Sequence, residues 1–119
     1  MQKIYTKFEL IIFSFVSLIF FGLIIVMLFH AMQYNKQKVS EKRMRIIADA
    51  IYNFYLDNHK YPVALNELVN SNYMREQMLK DGWGKKYIYN YPGEIISYGR
   101  DGAKGGEDLN KDIIYAANQ

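Results

Sequence analysis

Between residues 10 and 29 the chain carries no charged side chain and no proline, and Ile, Leu, Phe and Val fill most positions. A helix rising 1.5 Å per residue over that run is about 30 Å long, the thickness of a bilayer's hydrocarbon core. A chain of 119 residues has no interior wide enough to surround a helix that is apolar on every face, so the run reads as a transmembrane helix over residues 10–30. A secretory signal fits less well. Lys3 and Lys7 give the basic start, but the run exceeds the usual apolar core of a signal, and His30, Met32, Gln33 and Tyr34 offer no small-residue cleavage pattern. Residues 1–9 then form a short basic tail, and residues 31–119 form one small soluble domain.

The net charge of +3 is spread among interspersed acids, so no nucleic-acid partner is expected. The exception is a cluster just past the apolar run, Lys36, Lys38, Lys42, Arg43 and Arg45. The positive-inside rule draws this cluster to the cytoplasm as it does Lys3 and Lys7, and the charge count alone slightly favours a cytoplasmic C-terminal part without deciding the orientation. The absence of cysteine removes disulfides, thiol catalysis and thiolate metal sites, and a small core then needs another staple. His30 and His59 stand far apart with no serine or carboxylate arrangement around them, so no enzyme is expected.

From Ala31 to Lys60 there is neither Pro nor Gly, and Val39, Ile46, Ile47, Ala50, Ile51, Phe54 and Tyr55 recur at helical spacing. The membrane helix is thus predicted to continue into water as an amphipathic spine that ends between Asn58 and Pro62. A short helix from Ala64 to about Asn70 would turn Leu65, Leu68 and Val69 to the spine. Tyr87, Tyr89 and Tyr91 alternate with Ile88 and Asn90, a turn follows at Pro92 and Gly93, and residues 94–98 return as a second strand. Residues 113–116 offer a third. The expected class is α+β, a long N-terminal helix packed on a small antiparallel sheet.

Residues 97–113 are the most informative. Gly99, Gly102, Gly105 and Gly106 allow tight turns, while Asp101, Glu107, Asp108 and Asp112 supply hard oxygens. Calcium takes six to eight such oxygens, and the carbonyls of Tyr98 and Ala103 could complete a cage. An EF-hand is excluded because Ala103 and Gly105 occupy the second and fourth positions after Asp101. The competing reading is a solvated Gly/Asp turn that binds nothing. Trp83, between two glycines, reads as a packed anchor rather than a binding aromatic.

Several stretches follow one another in an order that resembles the major pseudopilin family of type II secretion systems. They are Leu56-Asp57-Asn58-His59-Lys60-Tyr61-Pro62, Lys80-Asp81-Gly82-Trp83-Gly84-Lys85-Lys86-Tyr87-Ile88-Tyr89, Pro92-Gly93-Glu94, and the loop from Ser97 to Ile113 with its Gly99-Arg100-Asp101-Gly102-Ala103-Lys104-Gly105-Gly106 run. The resemblance covers most of residues 46–113 and implies a pilin-like fold. It also implies calcium in the glycine-rich loop, with Asp101 and Asp108 as carboxylate ligands and Tyr98 and Ala103 as carbonyl ligands. Leu109 stands where the family commonly has a further acid, a gap that Asp112 or Glu107 would fill.

Pilin-like proteins carry a basic leader, a glycine before the cleavage point, an aromatic first mature residue and a glutamate just inside the apolar run. Tyr5 and Glu9 reproduce the aromatic-to-glutamate spacing, and Ile4 replaces the glycine at the cleavage position between Ile4 and Tyr5. A carboxylate at the edge of hydrocarbon is costly unless paired, and the resemblance implies that Glu9 pairs with a neighbour's terminal amine to set assembly register. The alternative is a hydrated glutamate at headgroup level. The implied role is a structural subunit of a pseudopilus, anchored in the bacterial inner membrane with a periplasmic C-terminal domain. Its partners would be copies of itself, other pseudopilins and inner-membrane secretion components. Two rivals remain: a minor or divergent pilin-like subunit acting as initiator or adaptor, and an unrelated anchored binding domain with a cytoplasmic C-terminus.

Overall fold

The computed structural model describes residues 4–117; Lys3, part of the expected basic leader, lies outside them. The chain divides into two compact units, one ending at Met32 and the other beginning at Gln33. Helix α1, Lys7–Asn58, supplies all of the first unit's regular structure and the spine of the second. It starts at a reciprocal cap, in which the Thr6 N–H donates to Glu9 Oε2 at 2.8 Å and the Glu9 N–H donates to Thr6 Oγ1 at 3.3 Å. Side chains over residues 10–29 are exposed throughout, and the segment is long and apolar enough to cross a membrane. Leaving such a surface in water would cost on the order of tens of kcal/mol.

In the second unit α1 buries Gln33, Ser40, Met44, Ile47, Ala48, Ala50, Ile51 and Phe54. This face corrects part of the predicted stripe, because Val39, Ile46 and Tyr55 are exposed. Positions 33, 40, 47 and 54 repeat at seven residues, as 44 and 51 do, whereas 39 and 46 lie one position away and turn about 100° off the core. Two polar residues stand in the stripe. They are buried because the 80–87 segment satisfies their hydrogen bonds.

Helix α2, Leu65–Asn70, presents Leu65 and Leu68 to that face. A 3-10 turn at Glu76–Leu79 leads to three strands, β1 (Ile88–Asn90), β2 (Glu94–Ser97) and β3 (Ile113–Ala116), in the order β1-β2-β3 with antiparallel pairing. Ile96 pairs with Ile88 on one side and with Ile114 on the other. Burial alternates along β2, so Ile95 enters the core and Ser97 also points inward. The core is closed by Met44, Ile47, Ile51, Phe54, Leu65, Leu68, Tyr87 and Ile95. The expected α+β architecture, a long helix on a small antiparallel sheet, is the one found.

Candidate functional site

Asp81 is the most buried carboxylate among the described residues, at 2% exposure. A buried charge persists only where donors replace water, and each of its oxygens has them. Oδ1 accepts the N–H groups of Trp83 at 3.0 Å and Lys85 at 2.8 Å, and Oδ2 accepts the Ser97 hydroxyl at 2.7 Å. The Asp-Gly-Trp-Gly stretch is thereby curled around one carboxylate and pressed on α1. The Gly82 N–H donates to Ser40 Oγ at 2.8 Å, and the Trp83 indole N–H donates to Gln33 Oε1 at 2.8 Å. Arg43 Nη1 donates to the carbonyls of Lys80 and Asp81. Gly82 is dictated by this approach, since a Cβ there would lie 2.0 Å from the Lys36 carbonyl oxygen. The Tyr87 hydroxyl donates to the Ser40 carbonyl at 2.9 Å, and burial, with the nearby Asp81 charge, raises it far above the usual phenol range. Burial likewise holds the Tyr89 hydroxyl up to about 12.

The glycine-rich loop begins where β2 delivers Ser97. Ser97 Oγ accepts the Gly99 N–H at 3.3 Å, and the Arg100 N–H crosses to the Leu109 carbonyl at 3.0 Å. Gly99 has φ +69°, and a Cβ on it would meet the Asn110 carbonyl at 2.9 Å, so only glycine lets the two limbs touch. Arg100 Nε donates to Asn110 Oδ1 at 3.2 Å, while Lys85 Nζ reaches across to the Arg100 carbonyl. Asp108 opens a short 3-10 turn, Asp108–Asn110, at φ 51°, a left-handed conformation that aspartate tolerates.

Among the residues expected to hold calcium, Asp101 Oδ1 caps the Ala103 N–H at 3.1 Å, and Asp112 Oδ2 takes the Gly105 N–H at 2.9 Å. Asp108, Asp101 and Glu107 are exposed. Among the described residues no three His, Cys, Asp or Glu side chains gather at metal-ligating distances. Any cation held here would have at most two carboxylates together with backbone carbonyls, a donor set that calcium accepts. One atom argues for fit: Asp112 Oδ1 is buried with no hydrogen-bond partner. A buried carboxylate oxygen without a donor costs free energy that a cation would relieve.

Glu9 is engaged within its own chain by Thr6. The spacing Thr6-Lys7-Phe8-Glu9 is a capping-box signature that was available from the sequence. Trp83 is half-buried, and its indole N–H bond to Gln33 ties its turn to α1. The Asp81 hub, by contrast, has no local signature, because Ser97, which donates to Asp81, lies 16 residues away along the chain, and Ser40, which accepts from the adjoining Gly82 N–H, lies 42 residues from Gly82.

Residues 27–116 match the family described as Type II secretion system (T2SS), protein G. The chain is 32% identical over 95 residues to "Type II secretion system core protein G" of Xanthomonas campestris pv. campestris, a match covering 68% of this chain and 66% of that protein. The chain thus spans just under two thirds of that curated relative's length.

Proposed function

The chain belongs to the type II secretion system protein G family, and on that basis we propose that it is a structural subunit of the secretion pseudopilus, polymerising through its N-terminal helix. The observation that carries this reading is the uncovered apolar length of α1: bilayer lipid covers it before assembly, and helices of neighbouring copies cover it afterwards. The anchor lies in the inner membrane and the second unit lies in the periplasm, where it forms the filament surface and helps drive export. Glu9 exchanges its internal Thr6 partner for a neighbour's terminal amine on assembly, a step that follows cleavage between Ile4 and Tyr5.

The chain has no cysteine of its own, so single cysteines at Leu10 or Ser14 give an unambiguous cross-linking test in native membranes. Extended self-linked ladders are the expected outcome; strictly monomeric or dimeric products overturn polymerisation. Products linked only to other subunits favour the initiator or adaptor role, to which Ile4 in place of glycine points.

Calcium closes the C-terminal loop in place of a disulfide. Asp112, whose Oδ1 is the atom most in need of it, would hold it with Asp101 or Asp108 and the carbonyls of Tyr98 and Ala103. The ion supplies a positive centre that binds the folded form alone, worth about 2.7 kcal/mol at a hundredfold excess over Kd. Chelation of the intact chain in detergent should lower its Tm, and Asp112→Asn should abolish the difference. Equal melting with calcium and with chelator removes this part of the reading.

A further inference from the structure

Two hydrogen-bonded links join the glycine-rich loop to the segment docked on α1, and both pass through Asp81. In the first, the Ser97 hydroxyl gives its one proton to Asp81 Oδ2, which leaves its oxygen lone pairs for the Gly99 N–H. In the second, Lys85 donates its backbone N–H to Asp81 Oδ1 and its ammonium to the Arg100 carbonyl. On the far side of Asp81, the same turn fixes Trp83, whose indole reaches Gln33 on α1.

We infer that Asp81 is a positioning residue through which metal occupancy of the 98–112 loop and the seating of Trp83 on α1 are thermodynamically coupled, an inference that rests on the calcium reading above. Gly99 sits where the loop's two limbs meet, 2.9 Å from the Asn110 backbone when a Cβ is built on it. Any tightening of those limbs pulls on the Gly99 N–H, and hence on Ser97 and Asp81. Both Asp81 and Ser97 are buried, at 2% and 1% exposure, so water cannot substitute for a lost partner and the link is stiff. Coupling of this kind is reciprocal: if a bound ion steadies Trp83, loosening the Trp83 turn weakens ion binding by the same factor.

Asp81→Asn tests the link with little change in shape. The side-chain carbonyl still accepts from Trp83 and Lys85, but the amide now donates to Ser97 and competes with the Gly99 N–H for its oxygen. Ser97→Ala cuts the same link from the other side and serves if the first variant does not fold. The intact chain in detergent micelles is titrated with calcium chloride, with ion binding read by calorimetry and Trp83 read by its emission. Trp83 is the only tryptophan in the sequence, so the signal is specific. In the unaltered chain the two readouts are expected to saturate together. In both variants calcium should still bind, about tenfold more weakly, with the emission change reduced to what the Lys85 link still carries. Variants that retain the full emission change, or an unaltered chain that binds calcium without any emission change, overturn the coupling and leave the calcium reading standing. An unaltered chain that binds no calcium overturns both.

Discussion

Residues 10–29 and residues 33–58 belong to one uninterrupted helix, yet they treat polar groups in opposite ways. In the first stretch every side chain is exposed and almost none is polar. In the second, the buried face includes Gln33 and Ser40, at 6% and 0% exposure, each held by a loop that folds back onto it. The backbone hydrogen bonds are the same in both. What differs is what the side chains can accept as a covering: lipid or another apolar helix in one case, and a hydrogen-bonding turn of the same chain in the other.

The comparison breaks most readily under paired truncations. Ile51→Ala removes a side chain that is 1% exposed and should cost the second unit about 3–4 kcal/mol, seen as a large drop in Tm; Ile19→Ala, at 52% exposure, should leave that Tm unchanged. Equal losses from the two would mean that the N-terminal stretch is part of the same folded core. Gly82→Ala comes next. The added methyl meets the Lys36 carbonyl, the turn lifts from α1, and a loss of about 3 kcal/mol should accompany a red shift of Trp83 emission.

Alkali should then melt the second unit and spare the first. The Tyr87 and Tyr89 hydroxyls titrate higher folded than the ordinary value of 10.0, so their contribution is complete below pH 10 and is lost as pH rises beyond it toward about 12. Circular dichroism with Tyr87→Phe as control reads this, since the variant should flatten the alkaline limb. Thr6→Ala is expected to be smaller, about 1 kcal/mol of helix N-terminal stability, visible as faster amide exchange confined to the first turn of α1. Lys38→Ala, which removes the exposed pair with Glu41, should change nothing measurable.

Much of the fold was legible because it is written in local periods. The proline-free spacing through Asn58, the alternation around Tyr87 and Tyr89, and the Pro92-Gly93 turn each depend on near neighbours, and α1, β1, β2 and β3 fall where those patterns place them. The loop's glycines and aspartates were legible for the same reason. Ser40 and Gln33 were not, because a polar residue in a helical stripe reads as solvent-facing until its distant partner is known. Asp81 likewise reads as an ordinary turn residue beside Gly82; only Ser97, arriving from β2, reveals a buried acceptor.

The Thr6–Glu9 pair lies wholly downstream of the Ile4–Tyr5 bond. A peptidase acting at that bond would therefore free a new amine without disturbing the clasp that starts the helix. The trimmed subunit would wait in the bilayer with its acid already quieted by its own backbone, so joining a filament becomes an exchange of one donor for another rather than the rescue of a stranded charge.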